Sequence, residues 1–113
     1  MIKKKYRINF NYFNFVSQKP IKIIDTPYFK ILIFKNNVLN NRYGVFFKKG
    51  IIKKSTQRNK IKRIFFSEIN KIFKKNINLG LDFVIKPKLD ILNISLKKLR
   101  EKFKNELLSN FDL

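Results

Sequence analysis

Between residues 57 and 75 the apolar positions recur with a helical period. At about 100° per residue, Ile61, Ile64, Phe65, Ile69 and Ile72 fall on one side. Asn59, Lys60, Arg63, Lys71 and Lys74 fall on the other. The spacing predicts an amphipathic helix, with Ser55 or Thr56 as N-cap accepting from backbone N–H groups one turn on. Arg58 and Lys62 depart from the pattern, because both project close to the apolar arc at the N-terminal end. Either their stems snorkel outward, or that end overhangs a sheet and turns both cations toward a cleft. A second helix is predicted over 95–109. Ser95 is its N-cap, Leu96, Leu99, Phe103 and Leu107 its apolar stripe, and Lys97, Lys98, Arg100, Lys102 and Lys104 its solvated face.

Strand patterns fill the space between. Residues 28–35, YFKILIFK, are β-branched and aromatic, and continuous enough for burial on both faces. Residues 42–48 read as a second strand. The Asn-rich turn between the two predicts an antiparallel hairpin over 28–48. LDFVIK, 81–86, is a third strand stopped by Pro87, and Gly80 before it suits a left-handed position after the helix. Pro20 and Pro27 bound an extended stretch. Residues 7–17 are assigned as a short helix from Phe10, Phe13 and Val16, although alternation of Ile8, Phe10 and Tyr12 fits a strand nearly as well. Residues 1–5 read as a mobile basic arm. The order is helix, strand, strand, helix, strand, helix: an α+β fold with one sheet covered mainly on one face, in which 42–86 forms a strand–helix–strand crossover. No repeat or linker divides the 113 residues, so a single domain is expected over 1–113.

Charge changes the picture most. The formal net charge is +20, while 44% apolar residues and thirteen Phe provide for a core. Self-repulsion at that density destabilises a small compact chain, and a polyanion relieves it. Nucleic acid is the expected partner, with a basic ribosome-like or membrane-surface protein as the blander alternative. The chain has no Cys and no His, which excludes disulfides, Cys/His zinc sites and His-dependent catalysis. No apolar run approaches the about 20 residues that span a bilayer. A membrane partner is not expected, and the cytoplasm is the default location.

The cations concentrate in one array: Arg42, Lys48, Lys49, Lys53, Lys54, Arg58, Asn59, Lys60, Lys62 and Arg63. Basic residues in a first helical turn oppose the helix dipole, so something other than helix stability placed them there. Arg forks suit phosphate bidentately, Lys is a point charge, and Asn can meet a base edge or a backbone group. The carboxylates at 25, 68, 82, 90, 101, 106 and 112 are scattered, with no spacing that suits a metal or an acid/base pair. Protein-borne catalysis and a direct metal site are therefore not expected.

Arg58-Asn59-Lys60-Ile61-Lys62-Arg63 resembles the R-N-R-x-K-R signature of the bacterial ribonuclease P protein subunit. Arg42-Tyr43-Gly44 is similar to that family's R-x-G strand, Lys48-Lys49 to its paired lysines, and Lys53-Lys54 to a basic pair that some members carry. Leu81-Asp82-Phe83-Val84-Ile85 looks like its D-F-V-type strand, and Arg7-Ile8 like its N-terminal R-L. Lys60 stands in place of the second signature Arg, keeping the charge without the fork. The resemblance implies an αβββαβα-type two-layer sandwich with a left-handed βαβ crossover. It implies a protein component of ribonuclease P that binds the large catalytic RNA and the 5′ leader of precursor tRNA. The bond chemistry would lie in the RNA, with Mg²⁺ held mainly there, so the chain would be an accessory subunit of an endoribonuclease.

The ten array residues would then face the catalytic RNA. A leader-binding cleft would involve Phe13, Lys30, Leu32 and Phe34. Leu32 stands where many members carry an aromatic, and Phe13 matches only with a one-residue shift. A ribosomal or other structural RNA-binding protein is the alternative. A helix-turn-helix DNA binder is disfavoured, because strand and loop, not a helix, precede the signature helix.

Overall fold

A computed structural model describes residues 6–10, 18–38, 40–73 and 80–111. The expected basic arm, most of the segment 7–17 with Phe13, and Lys74 to Leu79 lie outside the described residues. The element order is β1 (Lys22–Asp25), β2 (Phe29–Lys35), β3 (Arg42–Val45), α1 (Ser55–Ile72), β4 (Leu81–Pro87), a short 3-10 helix (Leu89–Asn93) and α2 (Leu96–Phe111). The extended stretch between the prolines has become a strand. Thr26 closes its turn into β2: its hydroxyl donates to the Phe29 carbonyl, and the Phe29 N–H donates back to it.

The sheet order is β1-β2-β4-β3. β2 pairs antiparallel with β1 and with β4, and β3 pairs parallel with β4. The predicted 28–48 hairpin is therefore wrong, because β4 lies between β2 and β3. The apolar run in LDFVIKP explains the choice. Val84 is fully buried, and Phe83 and Ile85 are nearly so, which demands a central position with neighbours on both edges. The strand–helix–strand crossover is present, since β3, α1 and β4 supply a parallel pair bridged by a helix. β3 also ends at Val45, short of the predicted 48.

Alternation along the strands sorts two apolar clusters. Phe29, Ile31, Ile33, Tyr43, Phe83 and Ile85 face the helices. There they meet Ile61, Ile64, Phe65 and Ile69 of α1 and Leu99, Phe103 and Leu107 of α2. Phe65 and Phe103 pack edge-to-face at 4.7 Å between ring centroids. The predicted apolar arc of α1 holds, and Phe66 adds to it. Buried Glu68 is the unforeseen member. Arg100 Nη1 donates to its Oε1 at 3.0 Å and Lys71 lies at 3.6 Å, so Arg100, whose side chain stays 41% exposed on the predicted solvated face, also ties α2 to α1.

The opposite face carries a smaller cluster of Ile8, Phe34 and Val84, with Phe10, Leu32 and Phe46 packed around it. Of the 7–17 segment only Arg7 to Phe10 are described: Arg7 lies in a β-bridge and Phe10 in a turn, and the rest of the predicted helix lies outside the described residues. Arg7 bridges Tyr43 in parallel, and the Ile8 N–H donates to the Tyr43 carbonyl at 2.9 Å. Gly50 and Gly80 take the left-handed φ values of +86° and +66° that their turns require.

Candidate nucleic-acid interface

Apart from Arg42, the array is assembled by one continuous piece of chain, from just beyond β3 through a loop into the first three turns of α1. The Ile51 N–H donates to the Lys48 carbonyl and Gly50 completes the turn, which leaves Lys48 and Lys49 exposed. Ile52 then drops into the main core at 3% exposure, and Lys53 and Lys54 after it are exposed. α1 begins without help from Ser55 or Thr56. Its N-cap is Lys54, there is no side-chain cap, and the first turn holds no acidic residue. Such a start leaves backbone N–H groups without intrahelical partners and the positive end of the dipole among cations.

Asn59, Lys60 and Arg63 are exposed, in agreement with their helical phase, and their side chains make no hydrogen bond or ion pair among the described residues. Lys48, Lys49, Lys53 and Lys54 share that condition. Three of the seven acids are engaged elsewhere: Asp25 with Lys88, Asp82 with Arg42, and Glu68 with Arg100 and Lys71. Among the described residues no carboxylate forms an ion pair with any cation between 48 and 63. From Lys48 to Arg63 the array is thus a field of one sign that no ion pair among the described residues neutralises.

Three members are placed differently. Lys62 is half-buried, with Nζ 6.0 Å from the centroid of Phe47 just beyond β3, so it leans toward the sheet edge as its phase requires. Arg58 does not. Its guanidinium turns back over the helix start, and Nη1 donates at 2.8 Å to both the Ile52 and Lys53 carbonyls. Arg42 is separated from the loop by β3 itself. Its Nε and Nη2 donate to Oδ1 and Oδ2 of buried Asp82 at 2.8 and 2.7 Å, and that carboxylate raises the Arg42 pKa above its ordinary value.

The sheet face away from the helices forms a second basic surface. Register places Lys30 opposite Lys86, Leu32 opposite Val84 and Phe34 opposite Asp82. Lys30, Leu32 and Phe34 therefore do share one face, while Phe13 lies outside the described residues. Lys30 and Leu32 are half-buried; Phe34, at 2% exposure, is a packing residue beneath them. Sequence reasoning missed Lys86 and Phe46. Lys86 Nζ stands 5.9 Å from the Phe46 ring, which meets Phe10 edge-to-face at 5.3 Å. The alternation Asp82, Val84, Lys86 could have found the lysine. Gly44 is required beneath Phe10, since a Cβ there would lie 2.5 Å from Phe10 Cζ and 3.1 Å from Ile8 Cβ. Two lysines directly opposed across strands repel each other, a cost that an anionic ligand removes.

Among the described residues no group of three or more His, Cys, Asp or Glu side chains comes together. No described helix is long and apolar enough to cross a membrane.

A small, strongly basic α+β domain with two cationic surfaces is the class that this geometry defines. The ribonuclease P family matches residues 2–111, and the chain belongs to that family, which places it in an endoribonuclease system of tRNA processing. The fold is similar to a Staphylococcus aureus RNase P protein mutant with defective mRNA degradation activity. That likeness has a TM-score of 0.72 at 19% identity over 92% of this chain and 86% of that one. It is also similar to the Thermotoga maritima RNase P protein in complex with 1-(4-fluorophenyl)-2-thiourea. There the TM-score is 0.57 at 32% identity, over 74% and 80% of the two chains. No curated protein sequence matches the chain.

Proposed function

We propose that this chain is the RNA-binding protein component of ribonuclease P, holding the catalytic RNA and the 5′ leader of precursor tRNA during leader removal. The observation that supports this best is the unneutralised set Lys48, Lys49, Lys53, Lys54, Asn59, Lys60 and Arg63. These residues are exposed, without side-chain partners among the described residues, and in a chain of this family. They replace counterions on the phosphates of the catalytic RNA. Lys62 supports them from the sheet edge. Arg42 serves by locking β3 to β4, with its fork already taken by Asp82.

The leader, a single strand, takes the open sheet face. Lys30 and Lys86 meet successive phosphates, while Leu32 and the Phe46 edge give bases an apolar surface. The protein's own residues bind, orient and neutralise; Mg²⁺ and bond cleavage belong to the RNA subunit. The test is reconstitution with the organism's catalytic RNA and a leader-cleavage assay at low Mg²⁺. Stimulation by the protein is expected. Capture of ribosomal RNA in place of the catalytic RNA, with no stimulation, would overturn the proposal.

A further inference from the structure

We infer that Arg58, the first residue of the signature, is a positioning residue that acts on RNA through the loop before it: it presents Lys53 and Lys54. The inference rests on the RNA-binding reading above.

Side chains on a helix tilt toward its N-terminus, and from the fourth position of α1 that tilt carries Arg58 back over the Lys54 cap. Its Nη1 meets two consecutive carbonyls, of Ile52 and Lys53, each at 2.8 Å. One guanidinium nitrogen thereby fixes two peptide units, and Arg58 is half-buried in doing so. Those peptides join the buried Ile52 to the exposed Lys53 and Lys54. With no side-chain cap at Lys54 and no acid in the first turn, the hydrogen bonds of Arg58 secure the loop's polar backbone to the helix, beside the packing of Ile52 in the core. The same bonds occupy the Nη1 end of the fork, so a phosphate cannot take the Nη1/Nη2 pair. A lysine keeps the charge, but its side chain ends one bond short of the position from which Nη1 meets both carbonyls.

Direct contact and positioning therefore separate in Arg58→Lys, which conserves charge. The measurement is equilibrium binding of the full chain to a bacterial ribonuclease P catalytic RNA across a salt series. Near-UV circular dichroism confirms that each variant is folded. Arg58→Lys should lower affinity about tenfold and flatten the log K against log salt slope by about 1 to 2, as released Lys53 and Lys54 lose their phosphates. In a Lys53→Ala/Lys54→Ala background the same substitution should change affinity less than about twofold, because the residues it presents are gone. Trypsin should also cut after Lys53 and Lys54 faster in Arg58→Lys than in the parent. An unchanged affinity and slope in Arg58→Lys, or an equal loss in both backgrounds, would overturn the inference. A loss in Lys60→Ala/Arg63→Ala with none in Lys53→Ala/Lys54→Ala would overturn it while leaving the RNA-binding reading standing. No loss in any of these variants would overturn both.

Discussion

Arg42 and Asp82 stand directly opposite each other in the parallel β3–β4 pair and share two hydrogen bonds of 2.8 and 2.7 Å. The Asp82 side chain is 2% exposed, and Asn36 Nδ2 donates to its Oδ1 as well. Arg42→Gln would leave that carboxylate with one neutral donor. The expected cost is about 2–4 kcal/mol in urea unfolding, discounted because Arg42 itself is partly exposed. The salt slope of RNA binding should stay as it is. A slope smaller by about 0.7–0.9 with unchanged stability would instead put Arg42 on an RNA phosphate.

Lys30 has Lys86 across from it on one side and Asp25 on the other. Lys30→Gln relieves the first and forfeits the second, so stability should change by no more than about 0.5 kcal/mol. Affinity for a single-stranded leader oligonucleotide should fall, with the salt slope lower by about 0.7. Fluorescence anisotropy over a salt series checks this; an unchanged slope would remove Lys30 from the leader surface.

Tyr43 gives the fold an alkaline limit. Burial pushes its phenol up to about 12; the hydrogen bond with Asn41 pulls the other way, and Tyr6 adds to the rise. The unfolded chain releases that proton near pH 10, at the ordinary tyrosine value. The contribution to stability is therefore whole below about pH 10 and is lost as pH rises through about 12, up to about 2–3 kcal/mol. Urea unfolding between those pH values should show a steeper decline for the parent than for Tyr43→Phe, which lacks the phenol. Parallel profiles would contradict it.

Much of the site was legible because it lies on one helix and in one continuous segment. Period alone separated Asn59, Lys60 and Arg63 from the buried arc, and they are exposed. What failed depended on long-range pairing. The 28–48 segment has good local turn chemistry, but β4, whose Leu81 pairs with Lys35 from far along the chain, takes the place beside β2. Period could put Arg58 near the apolar arc, yet it could not show the two carbonyls awaiting it, because these belong to a loop of irregular backbone. Period did not show the tie made by Arg100 for a related reason: its partner Glu68 sits on another helix.

The central claim is that the unneutralised cations of α1 meet the catalytic RNA as specific contacts and not as generic charge. The most direct measurement is precursor-tRNA leader cleavage by the catalytic RNA at low Mg²⁺ with two variants of equal charge change. Lys60→Glu/Arg63→Glu alters exposed residues of α1, and Lys98→Glu/Lys104→Glu alters exposed residues of α2. The first should abolish stimulation, and the second should reduce it only a few-fold. Equal losses from the two variants would contradict the account.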